Sequence, residues 1–194
     1  MPDESGPAEL VELRREAEAC TACRLCEQRT TVVFGMGDPT ADLMFVGEGP
    51  GEEEDRQGLP FVGRSGKLLD RLMREELGMD RDRCYIANVV KCRPPGNRDP
   101  RPDEIAACRR FLERQVELVS PRVIVTLGSF AARTLLGRRE GVLSLRGRDH
   151  HLPSDPRVVV VPTLHPAAAL RGGPEALARM RSDLVRAKLR LSGR

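Results

Sequence analysis

Hydrophobic positions gather in four short runs, at 43–46, 85–90, Val123–Leu127 and 158–161. Each is nearly continuous rather than alternating, the pattern of strands covered on both faces in a parallel sheet. Between and after these runs the apolar positions recur at three and four residues. Leu68, Leu69, Leu72, Met73 and Leu77 fall on one face of a predicted helix over 65–77. Ile105, Phe111, Leu112 and Val116 do so over Pro102–Val119, which opens on Pro102, Asp103 and Glu104 as a helix start should. Ser129–Leu136 predicts a shorter helix, 175–191 a basic closing helix, and 142–152 an additional turn or hairpin. Strands alternating with helices predict an α/β fold: a three-layer sandwich with a central four-stranded parallel sheet flanked by helices. A single domain over 1–194 is expected, with 1–19 a partly flexible N-terminus leading into the first cysteines.

This layout predicts where chemistry should sit. Open parallel sheets bind ligands beyond the carboxyl ends of their strands. The polar segments 47–55, 91–97, 128–129 and 163–166 all follow predicted strand ends. They should therefore meet on one edge of the sheet.

Composition changes the picture in two places. No stretch approaches the roughly 20 apolar residues of a membrane span, and the acidic N-terminus lacks the apolar region of a signal peptide. A soluble, cytoplasmic protein without membrane contact is expected. The net charge of +3 hides a split: residues 1–80 carry 9 Lys/Arg against 18 Asp/Glu, and residues 81–194 carry 23 against 11. A basic half of that size is either an electrostatic footprint for nucleic acid or the mark of an Arg-rich composition.

Six cysteines stand at 20, 23, 26, 84, 92 and 108. Clustered cysteines in an intracellular chain point to a metal or redox site more than to disulfides. The Cys20/Cys23 pair with distant Cys92 and Cys108 can close a tetrahedral thiolate site, and spacing alone does not choose zinc over iron–sulfur. Cys26 is a rival ligand or a spare thiol. Cys84 opens an apolar strand and reads as core.

Four further segments carry candidate chemistry. In Gly47-Glu48-Gly49-Pro50-Gly51-Glu52-Glu53-Glu54-Asp55 the glycines let backbone amides approach a ligand, while four consecutive acids argue against a phosphate cradle. Phe61 lies in a loop between Gly58 and Gly63, badly placed for a core aromatic, so a planar ligand stacked on it is the alternative. Asn88 interrupts an apolar run near its carboxyl end, and its amide offers both a donor and an acceptor to the edge of a base. His165, in Pro162-Thr-Leu-His165-Pro166, follows the last strand at the shared edge, whereas His150 and His151 lie in a charged loop.

Taken together, these segments in this order resemble the family 4 uracil-DNA glycosylases, from about Cys20 to Leu191. The resemblance implies a uracil-DNA glycosylase-like fold and base excision repair: hydrolysis of the N-glycosidic bond of deoxyuridine, releasing uracil and leaving an abasic site. It implies a [4Fe-4S] cluster on Cys20, Cys23, Cys92 and Cys108. Phe61 would stack on the flipped base, Asn88 would read its polar edge, backbone around Glu48, Gly49 and Pro50 would touch the ring oxygens, and His165 would stabilise charge near O2. Gly49 stands where the best-known uracil glycosylases carry a water-activating Asp, which leaves Glu48 and Glu54 as candidates to orient water. Lys91, Arg93, Arg98 and Arg171 are candidate DNA-backbone contacts. The implied partner is uracil-containing DNA, single-stranded or in U·G or U·A duplex, and a monomer is expected.

Two departures stand out. The histidine motif continues as Ala167-Ala168-Ala169-Leu170-Arg171 where relatives carry bulkier residues, which predicts a stronger preference for single-stranded substrate. Cys26 is a third closely spaced cysteine that relatives usually lack. A related group trapped on its abasic product carries a His-containing insertion after the second strand, and residues 93–107 contain no His. The other rivals are a zinc module and a non-catalytic iron–sulfur redox sensor.

Overall fold

The structure is a computed structural model and describes residues 7–193. Six strands form one sheet: β1 (Met36–Gly37), β2 (Leu43–Gly47), β3 (Tyr85–Asn88), β4 (Val123–Leu127), β5 (His150–Leu152) and β6 (Asp155–Thr163). Eight helices accompany them: α1 (Ala8–Glu18), α2 (Glu52–Gln57), α3 (Arg64–Leu72), α4 (Pro102–Val119), α5 (Ser129–Leu136), α6 (Val142–Leu145), α7 (Pro166–Arg171) and α8 (Gly173–Leu191). A wide π-type turn, Met73–Leu77, prolongs α3, and its apolar Met73 and Leu77 stay buried.

The strand order is β1-β3-β2-β4-β6-β5. The four strands expected from the apolar runs make the parallel centre, β3-β2-β4-β6. The expectation of a purely four-stranded sheet is corrected at both edges, where β1 and β5 add antiparallel strands. Both were hard to read for a physical reason: edge strands need pairing on one side only, and these span two and three residues. The segment 142–152 divides into α6 and β5, and β6 begins at Asp155, three residues earlier than its apolar run.

Strand alternation divides the core into two layers. Met44 and Val46 point to one face with α1, α4 and α5, where Leu10, Leu13, Phe111, Leu112 and Ala132 pack. Leu43 and Phe45 point to the other, against Leu68, Leu69 and Leu72 of α3 and Met180 and Leu184 of α8. Each fully buried Leu contributes roughly 1.5–3 kcal/mol, so both helical layers are held mainly by this burial. Of the stretch 1–19, residues 1–6 lie outside the described residues, and Ala8–Glu18 form a helix buried through Leu10, Leu13 and Ala17. Among the described residues no helix is long and apolar enough to cross a membrane.

Folding pairs part of the basic half with the acidic half. Arg114 pairs with Glu9 at 2.6 Å, Arg110 with Glu16 at 3.2 Å, and Arg181 with Glu75 at 2.5 Å and with Glu76. Each pair joins the basic half to the acidic half. Exposed pairs of this kind contribute at most about 1 kcal/mol each, and they neutralise part of the basic half that the sequence suggested.

Candidate active site and cysteine cavity

A pocket of about 550 Å³ opens at the carboxyl edge of the parallel strands. Glu48 directly follows β2, Asn88 ends β3 and His165 lies two residues beyond β6, and all three line it together with Phe61. The predicted convergence of these segments on one edge is what the topology produces.

Phe61 forms a wall of the pocket and is buried in the core cluster beside Leu43 and Phe45. Its φ of 54° is unusual for an aromatic residue, and the surroundings impose it. Arg81 donates to the Pro60 carbonyl at 2.9 Å and to the Phe61 carbonyl, while Asp70 holds Arg81 at 2.5 Å. Glu54 accepts from the N–H groups of Val62 and Gly63, each at 2.9 Å. Gly66 must be glycine, because a Cβ there would lie 1.6 Å from the Phe61 carbonyl oxygen. Gly47 forms the floor: a Cβ there would meet Asn88 Oδ1 at 2.4 Å and Phe61 Cζ at 2.5 Å.

Asn88 is 2% exposed, and its Oδ1 has no hydrogen-bond partner among the described residues. A buried acceptor left open costs about 1–3 kcal/mol, so an unfilled one lining a pocket marks where a ligand donor belongs. His165 caps α7, its Nδ1 accepting from the Ala167 N–H at 3.2 Å. Burial, and then the charge of Arg171, push its pKa down to about 4, against the pull of Glu54. The ring is therefore neutral at pH 7, and with Nδ1 accepting, Nε2 carries the hydrogen as a donor. The rings of His165 and Phe61 lie 5.8 Å apart, tilted by 34°.

The two carboxylate candidates separate. Glu54 spends one oxygen on the Phe61 loop. Glu48 makes no side-chain hydrogen bond among the described residues, and burial, then the charge of Asp99, raise its pKa to about 7.

The four basic candidates also separate. Lys91 is corrected: it is 1% exposed, with Nζ donating to the Asn88 carbonyl at 2.8 Å and to Gln115 Oε1 at 2.5 Å. A phosphate contact is closed to it because α4 covers it. Arg98 grips buried Glu104 with both nitrogens, at 2.6 and 2.9 Å, and Arg93 bonds Asn97 at 2.7 Å and Glu52 at 3.3 Å. Arg171 lines the pocket without a polar partner among the described residues, and so does Arg64, which sequence reasoning missed. Its position opening α3, just after the glycine-flanked Phe61 loop, was the available signal. In α7, Ala169 is buried and Leu170 is 51% exposed, so the Ala-rich loop presents Leu170 as its one large apolar side chain.

Five cysteines, Cys20, Cys23, Cys26, Cys92 and Cys108, line a second, small cavity. They come from the end of α1, the turn after it, the segment after β3, and α4. Cys84 directly precedes β3 and packs in the core layer on the opposite face of the sheet, as expected. The Lys91 N–H donates to Cys108 Sγ at 3.3 Å, and Arg29 Nη1 to Cys92 Sγ at 3.4 Å. Burial raises the thiol of Cys92 to about 11 and also pushes up those of Cys108 and Cys23. Such thiols ionise only against nearby positive charge. Among the described residues no three or more metal-binding side chains converge on a single ion.

The family model of the Uracil DNA glycosylase superfamily matches residues 34–186. A type-4 uracil-DNA glycosylase of Thermotoga maritima is 46% identical over 183 residues, 93% of this chain and 94% of its own. One from Sulfurisphaera tokodaii is 45% identical over 166 residues, covering 83% of this chain and 76% of its own. A type-5 uracil-DNA glycosylase of Thermus thermophilus is 34% identical over 176 residues, 71% of this chain and 80% of its own. With the family model spanning most of the chain and type-4 relatives aligned along nearly its full length, the protein belongs to the type-4 family of the uracil DNA glycosylase superfamily.

Proposed function

We propose that this protein excises uracil from DNA by hydrolysing the bond between the base and C1′ of its deoxyribose. The observation that carries the reading is the open Oδ1 of Asn88, buried beside Phe61 over the glycine floor. Uracil N3–H fills that acceptor and the amide Nδ2–H donates to O4. Cytosine has no hydrogen at N3 and an amine at C4, so both groups would be mispaired. The base must leave the duplex to reach this pocket, at a cost of a few kcal/mol.

The chemistry follows from charge. As the C1′–N1 bond breaks, its electron pair leaves with uracil and positive charge builds on the sugar. The neutral His165 donates from Nε2 to uracil O2, an interaction that strengthens only as the anion forms. The Glu48 carboxylate takes the proton of the water that adds to C1′. Glu54 is a positioning residue that fixes Phe61 through the Val62 and Gly63 amides. Arg64 and Arg171 contact the DNA backbone.

The second cavity holds a [4Fe-4S] cluster on Cys20, Cys23, Cys92 and Cys108. An all-thiolate donor set brought to one cavity from three segments, with N–H groups aimed at two sulfurs, suits such a cluster. The cluster supplies a covalent tie between the end of α1, the segment after β3 and α4, with Cys26 as a fifth thiol in reach. The protein acts as a monomer, and its Ala-rich α7 favours single-stranded substrate.

Incubation with uracil-containing oligonucleotides, then alkali, tests this reading. Strand scission at uracil is expected on every substrate, fastest on single strands and slowest on U·A duplex. No scission on any of them would defeat the reading, and equal rates on single strands and U·A duplex would defeat the strand preference.

A further inference from the structure

Lys91 occupies a place that uracil recognition does not by itself require. Only Val89 and Val90 separate Asn88, in the base pocket, from Lys91, and Cys92 follows at once in the second cavity. Its backbone N–H points at Cys108 Sγ at 3.3 Å. Its side chain folds back along the same segment, so that Nζ meets the carbonyl of Asn88 at 2.8 Å. The remaining partners are Gln115 Oε1 at 2.5 Å and the face of Phe34, whose ring centre lies 6.0 Å away. Every one of these partners is neutral. Gln115 is locked in turn, donating to the Phe34 carbonyl at 2.9 Å and to the Tyr85 hydroxyl at 3.1 Å.

A buried ammonium without a carboxylate is strongly disfavoured unless negative charge lies nearby. Among the described residues no carboxylate makes an ion pair with Lys91. What lies nearby is the cysteine cavity, which Lys91 lines with Arg29. Arg29 likewise pairs with no carboxylate and bonds the carbonyls of Cys20 and Glu18 and the sulfur of Cys92. A tetrathiolate iron–sulfur cluster carries net negative charge, and two cations with neutral partners beside it supply the balance.

We propose that Lys91 is a positioning residue joining the two sites: its charge balances the thiolate cluster while its ammonium fixes the Asn88 carbonyl, and so the amide that reads uracil. This rests on the cluster assignment above. The joint is short and without slack, because Val89 and Val90 are hydrogen-bonded to the Gly47 and Glu48 carbonyls at 2.9 and 3.0 Å. A cluster that holds Lys91 therefore holds the backbone of Asn88.

The test compares the purified, iron-loaded protein with Lys91→Met, which keeps the stem and removes the charge. A second variant, Lys91→Gln, removes the charge but keeps an N–H donor for the Gln115 acceptor and leaves the Gln115 bonds to Phe34 and Tyr85 in place, so that one folded variant is in hand even if the Met change unfolds. Iron content, the reduction potential of the cluster and inhibition by free uracil are measured on each. Loss of a buried cation disfavours the more negative, reduced cluster, so the potential should move to more negative values. Inhibition by free uracil should weaken about tenfold through the loosened Asn88. A wild-type protein without iron overturns the cluster assignment itself. An iron-containing wild type whose variants keep either its potential or its uracil inhibition overturns the joint.

Discussion

The base pocket and the cysteine cavity both keep groups unsatisfied in the protein alone, by opposite means. The pocket is open, and its unfilled groups are single and directional: Asn88 Oδ1, the Glu48 carboxylate and the guanidinium groups of Arg64 and Arg171. The cavity is small and lined by sulfur, and what is uncompensated there is charge: thiols pushed towards their protonated form and two cations with no carboxylate partner among the described residues. The first arrangement selects a ligand that comes and goes. The second fits one that is installed once and kept. Residues of the first kind should control rate with little effect on stability, and residues of the second should do the reverse.

The largest test of that contrast is Cys92→Ala. It should abolish the iron–sulfur absorbance near 400 nm (roughly, for thiolate-ligated iron) and lower the melting temperature, while His165→Ala leaves the iron in place and lowers the melting temperature less, by the loss of one helix cap. Retention of iron, melting temperature and excision by Cys92→Ala would erase the distinction. On the pocket side, His165→Ala should lower kcat by about 10²- to 10³-fold with a smaller change in KM, the usual loss for one oxyanion donor.

Glu48 gives the contrast a pH signature. Its carboxyl is raised to about 7, so the ionised, water-activating form is lost as pH falls through that value. The excision rate should drop about tenfold per pH unit below 7, and Glu48→Gln should be slow and flat over the same range. His165, neutral above about 4, contributes no inflection there. Because the folded pKa of Glu48 is raised from 4.5 to about 7, the protein also loses stability as pH rises from about 4.5 towards 7, and no further above that.

Glu54→Ala removes the acceptor of two backbone N–H groups and should cost about 1–3 kcal/mol of stability, read in urea, with a parallel rise in KM as Phe61 loosens. It would then stand between the two classes. The smallest effect belongs to Arg64→Ala and Arg171→Ala. Each should reduce the slope of log affinity against log salt by about 0.7–0.9, whereas Arg98→Ala, whose guanidinium is bound to Glu104, should leave it unchanged.

How much of this was legible in the sequence follows from the range of the forces involved. Continuous apolar runs require burial on both faces, so the four central strands and their shared functional edge could be read directly. The residues that line the pocket at that edge, Glu48, Phe61, Asn88 and His165, were legible because each breaks a local pattern. The cysteines were legible as a group, and the fifth thiol at Cys26 remains a member of that group in space. Edge strands β1 and β5 were not, since a strand of two or three residues carries no periodicity. Nor was the fate of individual charges. Lys91 reads as a surface cation until α4 lays Gln115 and Cys108 across it, and the basic half reads as a footprint until its arginines meet the acids of the first half. Apolar periodicity is a one-dimensional property of the chain, and the sequence alone determines it. Which polar group stays open and which is satisfied depends on partners distant in sequence, and only the tertiary structure decides that.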